Sequence, residues 1–187
     1  MDRWLTLADR IDGLNSTVAR FARWGLLANA LVITFNAIAR KFFSLAYPSA
    51  FDLQWHFFAV VVLLMAAYTL QRNEHVRIDI LAGRLGPSRL AWLDLFGALL
   101  VLIPICILMV WASGREFVAS LLLGESRATR ESTSDIPAWI MKGLIPLGFL
   151  LLSLQGVAEA IRCIAHLRGA QKRSPNHQPL IEARQND

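Results

Sequence analysis

Long apolar runs separated by short charged segments dominate the pattern of this chain. Two of the runs, residues 53–71 and 95–114, contain no formally charged side chain. A run of about 20 apolar residues is long enough to cross the hydrocarbon core of a bilayer as a helix. Two further runs, which begin near Trp24 and Pro137, approach this length when their flanking residues are included. The pattern predicts four membrane-spanning helices at about 24–45, 53–71, 91–114 and 137–166.

The N-terminal residues, 1–22, show a different pattern. Apolar side chains recur there at alternating spacings of three and four, which places them on one face of a helix. They are Trp4, Leu7, Ile11, Leu14, Val18 and Phe21. A stripe of this kind is typical of an amphipathic helix on the membrane surface. A helical extension of the first span, packed on the same chain, fits the pattern equally well.

The distribution of charge predicts the topology. Hydrophobic residues make up 55% of the chain, more than in ordinary soluble domains. The net charge of +5 does not indicate nucleic-acid binding, because Lys and Arg stand at the ends of apolar runs. Thirteen of the 19 precede span one, lie between spans two and three, or follow span four. The positive-inside rule then predicts an all-α membrane protein with both termini in the cytoplasm.

Three units follow from these patterns. Residues 1–22 form the predicted amphipathic interfacial helix, and residues 23–168 form the four-helix membrane domain. Residues 169–187 are polar and contain two prolines. Such a composition cannot bury enough apolar surface to fold, so this segment is predicted to be a disordered tail. The segment 115–136, between spans three and four, is predicted to be an irregular external loop.

The centres of the predicted spans contain no Asp, Glu, Lys or Arg. Ionisable residues inside a bilayer mark ion and substrate paths, so a carrier that acts alone should contain at least one. The transport path is therefore expected in another polypeptide, and neither an enzyme nor a cofactor is predicted. The alternative is an autonomous four-helix membrane redox protein or enzyme, based on His56, His75 and the cysteines. No second histidine lies at the depth of His56 to complete a haem site, and His56 is expected to hydrogen-bond locally.

Polar residues within the spans fall on single helix faces. Asn29 and Asn36 share a face of span one, and Gln155 and Glu159 share a face of span four. Amide-bearing residues on one face are a common means of helix association in lipid. They predict an interface, either within this bundle or with a partner, and the sequence leaves both open.

The segment 71–81, "QRNEHVRIDIL", separates spans two and three. If it is helical, His75 and Asp79 lie on one face with Arg77 nearby. Two metal ligands without a third make a poor metal site, so no metal is predicted. Apolar residues alternate with the charged ones, so the segment is predicted to be a structural hairpin at the headgroup level or a partner contact.

Three residues on the predicted external side, Arg40, Lys41 and Trp55, lie next to the ends of spans one and two. Indole rings and cationic side chains favour the membrane interface. These residues are predicted to anchor the bundle in the membrane or to contact an acidic surface of a docking protein.

Three segments together carry a family resemblance: "FDLQWHFFAVVVLLMAAYTLQRNEHVRIDIL", "LAWLDLFGALLVLIPICIL" and "DIPAWIMKGLIPLGFLLLSLQGVAEAIR". Their order and spacing resemble the DctQ-like small membrane subunit of TRAP (tripartite ATP-independent periplasmic) transporters. Within that group the chain most resembles the mannitol/chloroaromatic branch. The segment from His75 to Asp79 is the most specific part of the match.

The resemblance implies a role in the cell inner membrane. In that family a periplasmic binding protein captures an organic acid and docks on a membrane complex. The large permease subunit holds the sodium and substrate sites, so no cofactor is expected in the small subunit. The small subunit acts as a scaffold and contributes to docking. The implied partners are the large permease subunit, the binding protein and membrane lipid, without nucleic acid.

Overall fold

The computed structural model describes residues 2–45, 48–72, 87–129 and 132–169. Within this part of the chain, four helical segments are long and apolar enough to cross a membrane. The elements are α1 (Asp2–Phe43), α2 (Pro48–Gln71), α3 (Pro87–Phe96), a π-helical segment (Gly97–Leu102), α4 (Ile103–Leu123), β1 (Ser126–Thr129), β2 (Ser132–Pro137) and α5 (Ala138–Leu167). Apart from the short β1–β2 hairpin, the prediction of a helical membrane protein with four spans is confirmed.

One helix, α1, stands where the sequence suggested a surface helix followed by a span. It runs without a break over 42 residues, Asp2–Phe43. Residues 2–43 contain no proline, the residue that most strongly interrupts a helix. Ala8 and Ile11 pack against Ala158 of α5. The N-terminal half of α1 is therefore an extension of the first span packed on the same chain, the second of the two arrangements that the pattern allowed.

The large apolar side chains of α1 do not form its packed face. Ile11 is buried, but Trp4 is 61% exposed. The buried positions carry mostly small residues, such as Ala8, Ala19 and Ala22, which let helices approach closely. Apolar residues at every seventh position instead face outward or are half-buried. This heptad stripe consists of Leu7, Leu14, Phe21, Ala28, Phe35 and Phe42.

The third span is longer than predicted and contains the π-helical segment. It extends from Ala91 to Leu123, because residues 115–123 continue α4 instead of beginning a loop. Pro104 follows the π-helical segment, and the Ile103 N–H donates to the carbonyl of Ala98, five residues earlier. Proline lacks the N–H of a regular helical bond, and a π-type turn shifts the hydrogen-bond register around such a break. The break in hydrogen bonding at Pro104 thus coincides with a change of helix type.

The connection between α4 and α5 is more ordered than predicted. α4 ends at Gly124, whose φ of 60° is left-handed and whose N–H donates to the carbonyl of Ser120. β1 and β2 then pair as an antiparallel hairpin, where an irregular segment was expected. Pro137, expected in the first turn of span four, is the last residue of β2. Its ψ of 128° is extended, so α5 begins one residue later.

α5 lies at the centre of the bundle, where it contacts α1, α2 and α4. Two of its glycines set the spacing to its neighbours. A Cβ atom at Gly148 would lie 2.9 Å from the carbonyl oxygen of Leu63 in α2. A Cβ atom at Gly156 would lie 2.8 Å from a methyl group of Leu102. A larger residue at Gly148 would push α5 away from the backbone of α2, whereas at Gly156 it would displace the Leu102 side chain.

The uncharged runs of neighbouring helices are staggered. Gly25 stands at the start of the run in α1, yet it packs against Val60, near the middle of the run in α2. Gly156 stands near the end of the run in α5, yet it packs against Leu102, near the middle of the run in the third span. Relative to the uncharged run of α2, the run of α1 is therefore displaced toward the C-terminal end of α1. Relative to the run of α5, the run of the third span is displaced toward the opposite end of the bundle.

Candidate functional site

A chain of polar contacts joins α1 to α5 and forms what we call the inner polar cluster: Asp9, Asp12, Asn15, Gln155 and Arg162. The Asn15 side-chain amide donates to Gln155 Oε1 over 2.6 Å. The amide of Gln155 donates in turn to Asp12 Oδ1 over 2.9 Å. Arg162 pairs with both Asp12 and Asp9, at 3.2 Å from the latter. Because Gln155 and Asn15 are almost fully buried, these bonds fix how the extension of α1 lies on α5.

Glu159 lies next to this cluster. It is 6% exposed and precedes Arg162 by three residues, close enough to interact electrostatically with that guanidinium. A buried carboxylate is costly unless a cation or hydrogen-bond donors compensate it. Arg162 compensates part of the negative charge of the three carboxylates around it, which is a structural function.

A second polar set, the outer polar group, lies further along α1 and in the first turns of α2: Asn29, Asn36, Asp52 and His56. Each is 9% exposed or less. His56 Nδ1 lies 2.7 Å from the carbonyl oxygen of Asp52, so this nitrogen carries the proton and donates. The local hydrogen bond expected for His56 is present.

The four residues predicted to form an interface lie inside this chain. Asn29, Asn36, Gln155 and Glu159 are 9, 5, 0 and 6% exposed. Of the two readings that the sequence left open, burial favours packing within the bundle. Sequence reasoning missed Asp12 and Arg162, because 150 residues separate them and no local pattern joins them.

At the other end of α5, an ion pair joins α5 to the residue that connects α4 with the β1–β2 hairpin. Lys142 Nζ lies 2.5 Å from Glu125 Oε2, and the Ala138 N–H donates to the Glu125 carbonyl over 2.9 Å. The hydrogen bond and positive charge of Lys142 hold the pKa of Glu125 below its ordinary value. This corner ties the start of α5 to the end of α4.

The residues predicted to anchor or dock are accessible. Arg40 and Lys41 lie exposed in the last turn of α1. Trp55 is 56% exposed and meets Phe58 edge to face, with ring centroids 6.3 Å apart. Exposure is compatible with both predicted roles. His75, Arg77 and Asp79, and the predicted tail beyond residue 169, lie outside the described residues.

An apolar groove of about 490 Å³ follows the π-helical segment. Its walls include Ala98, Leu102 and Phe149, and Asp94 and Glu159 contribute its carboxylates. Among the described residues, no group of three His, Cys, Asp or Glu side chains is placed to hold a metal ion. Cys106 and Cys163 are buried. The described polar contacts join helices and do not assemble a recognisable catalytic set.

Residues 29–166 match the family described as "Tripartite ATP-independent periplasmic transporters, DctQ component". This match begins within the first span and extends through the other three, and it leaves out the N-terminal part of α1. The chain belongs to the DctQ family. Neither a curated protein nor a solved structure matches it.

Membership of the DctQ family decides several expectations. The chain is a small permease component of a TRAP transporter, a multi-pass protein of the inner membrane, and its family is one of transporter components rather than of enzymes. The family implies a complex with a large permease subunit and a binding protein. The alternative of an autonomous redox protein receives no support from these findings.

Proposed function

We propose that this chain is the scaffold subunit of a TRAP importer for an organic acid, which holds the large permease subunit and contributes to docking of the binding protein. In this proposal both termini lie in the cytoplasm. Sodium coupling and substrate binding belong to the large subunit. We also propose that the chain belongs to the mannitol/chloroaromatic branch, which the segments quoted above resemble.

One observation carries the proposal. The buried polar side chains of the inner polar cluster are hydrogen-bonded or ion-paired between α1 and α5, and the runs 53–71 and 95–114 contain no Asp, Glu, Lys or Arg. A substrate path needs polar groups that are available to the solute. Polar groups that join helices of one chain suit a rigid scaffold instead.

The docking part of the proposal rests on one end of the bundle. Arg40, Lys41 and Trp55 are exposed there, at the end opposite to the N-terminus of α1. Exposed cations at a rim chiefly affect the rate and the orientation of encounter with an acidic partner. The hairpin residues His75, Arg77 and Asp79 remain a prediction of a structural or partner contact at the other end.

Co-purification tests the scaffold role. A tagged chain expressed with the large permease subunit is expected to retain that subunit through detergent purification, and deletion of the chain should abolish uptake. If the tagged chain elutes alone while uptake by the large subunit continues normally, the proposal is wrong. In the same strain, reversing the charges of Arg40 and Lys41 should slow uptake and leave co-purification intact. Unchanged uptake would remove these two residues from the docking surface.

A further inference from the structure

Four residues of α1 form a small concave surface, which we call the inner arginine site: Arg20, Arg23, Trp24 and Leu27. The concavity has a volume of about 520 Å³. Arg20 and Arg23 are three residues apart and therefore on neighbouring positions of one helix face. Trp24 is 69% exposed and Leu27 52% exposed. The site thus presents two guanidinium groups beside an indole ring and an aliphatic side chain.

The two guanidinium groups have no acidic partner among the residues that the structure describes. Arg162, by comparison, pairs with Asp9 and Asp12 in the inner polar cluster. The nearest carboxylates along α1, Asp9 and Asp12, are engaged in that cluster, a full two turns or more before Arg20. The inner arginine site therefore carries positive charge that this part of the chain does not neutralise, which is complementary to an anion.

The position of the inner arginine site along α1 places it near the lipid headgroups. Arg23 is the last charged residue before the uncharged run of α1, and the next residue is Trp24. Tryptophan and snorkelling arginine side chains both favour the boundary between hydrocarbon and headgroups. The site therefore lies where polar and apolar parts of α1 meet.

The stagger of the helices brings the arginines close to the hydrocarbon. Ser16 contacts Gln71 at 3.3 Å and Gly25 packs against Val60, so Arg23 lies beside the uncharged run of α2. Because Ser16 lies level with Gln71, the last residue of the uncharged run of α2, Arg20 and Arg23 lie about one to two turns further into the bundle. Their long side chains reach the headgroup level by snorkelling toward the N-terminal end of α1.

We propose that the inner arginine site binds the phosphate of an anionic phospholipid in the leaflet at the N-terminal end of α1. Guanidinium groups pair with phosphate oxygens through two parallel hydrogen bonds, and they keep their charge at any physiological pH. The indole of Trp24 lies at the glycerol level, and an acyl chain follows Leu27 into the hydrocarbon. This site does not depend on the transport role and would exist in the free chain as well.

Lipid retention measures the proposal directly. The full chain, with the large permease subunit where the two co-purify, is placed in nanodiscs of phosphatidylcholine with and without phosphatidylglycerol. Native mass spectrometry then counts phosphatidylglycerol molecules retained per chain in a detergent titration. We expect the double variant R20Q/R23Q to bind phosphatidylglycerol roughly 10- to 30-fold more weakly than the wild type, because it loses the favourable interaction of two arginine side chains with the anionic headgroup.

Matched variants separate the site from general charge. R3Q/R10Q removes two exposed arginines from the same helix, further from the uncharged run, and should keep wild-type retention. R20K/R23K keeps the positive charge but loses the planar guanidinium groups that form two parallel hydrogen bonds to phosphate. Its retention of phosphatidylglycerol should therefore be intermediate. All four side chains are exposed, so the thermal unfolding midpoints of these variants should match the wild type.

Several outcomes would overturn the proposal. Wild-type retention in R20Q/R23Q, or an equal loss in R3Q/R10Q, would show that no specific site exists. Displacement of the lipid by inorganic phosphate at similar concentration would identify a site for free anions. A photo-crosslinking residue in place of Leu27 should label phospholipid; labelling of an acidic segment of the large subunit instead would assign the surface to that protein.

Discussion

The inner polar cluster and the outer polar group bury similar side chains but differ in the hydrogen bonds that these side chains make. In the inner polar cluster, Gln155 both accepts and donates a hydrogen bond, and Arg162 pairs with two carboxylates. In the outer polar group, the Oδ1 atoms of Asn29 and Asn36 and the Nε2 atom of His56 have no hydrogen-bond partner within the described residues. Asn15 Oδ1 in the inner polar cluster also lacks one, but the amide nitrogen of the same side chain donates to Gln155. The first set links two distant parts of the chain, whereas the bond that His56 makes in the second is local.

The difference teaches that buried polarity alone does not identify a stabilising contact. A buried group that finds its partner contributes modestly, and a group left without one costs about 1–3 kcal/mol. The inner polar cluster therefore holds the extension of α1 in place. The outer polar group is a potential weak point of the isolated chain, unless water fills the unsatisfied positions.

The largest expected effect comes from removing the cation of the inner polar cluster. Arg162→Ala leaves Asp12 partly buried without its counterion, which should lower the free energy of unfolding by about 3 kcal/mol. Thermal unfolding in detergent measures this loss. Asp9→Asn is the control, because the Asp9 side chain is 75% exposed, and an exposed pair contributes at most about 1 kcal/mol.

A double-mutant cycle makes this test specific. Asp12→Asn combined with Arg162→Ala should recover part of the loss, because the variant no longer buries an uncompensated carboxylate. Additive effects of the two substitutions would contradict the direct ion pair. They would also remove the main energetic distinction between the two polar sets.

A smaller effect of opposite sign is expected in the outer polar group. Asn36→Leu replaces a buried amide oxygen that lacks a partner by an apolar group of similar size, so the free energy of unfolding should stay equal or rise by up to about 1 kcal/mol. Gln155→Leu is the matched comparison in the inner polar cluster, and it should destabilise. A clear loss of stability in Asn36→Leu would mean that the outer polar group holds a bound water or another ligand.

The smallest effect is expected at the exposed corner of Glu125 and Lys142, outside both sets. The pKa of Glu125 is lowered in the folded chain from an ordinary value of 4.5. Its stabilising contribution is therefore fully present above that pH and is lost as the pH falls through the lower folded-state pKa. Glu125→Gln should flatten this part of the pH profile of the unfolding midpoint. Glu116→Gln, which removes an exposed carboxylate of α4, is the matched control variant.

The sequence predicted the features that depend on apolar length and missed those that depend on contacts across the chain. The uncharged runs of α2 and the third span were visible because a bilayer requires a continuous apolar segment. The polar faces around Asn29 and Gln155 were visible because helical spacing is local. No local pattern, however, could pair Asp12 with Arg162.

Boundaries were predicted less well than spans. Arg115 and Glu116 suggested the end of the third span, but the helix continues until Gly124 supplies a left-handed residue. The stripe of residues 4–21 was interpreted as a packing or membrane face. The structure buries Ile11 of this stripe together with alanines beside it, and leaves the larger stripe residues exposed. Small side chains decide such packing, and a hydrophobicity pattern gives them little weight.

The heptad stripe of α1 has one further geometric consequence. A straight α-helix advances 100° per residue, so positions seven apart differ in direction by about 20°. From Leu7 to Phe42, five such steps rotate the stripe by about 100° around the helix axis. Leu7 and Leu14 therefore point to a different quadrant from Phe35 and Phe42. A single flat neighbouring surface can therefore contact only the N-terminal or the C-terminal half of the heptad stripe. The two halves face different directions, so each can contact a different neighbour.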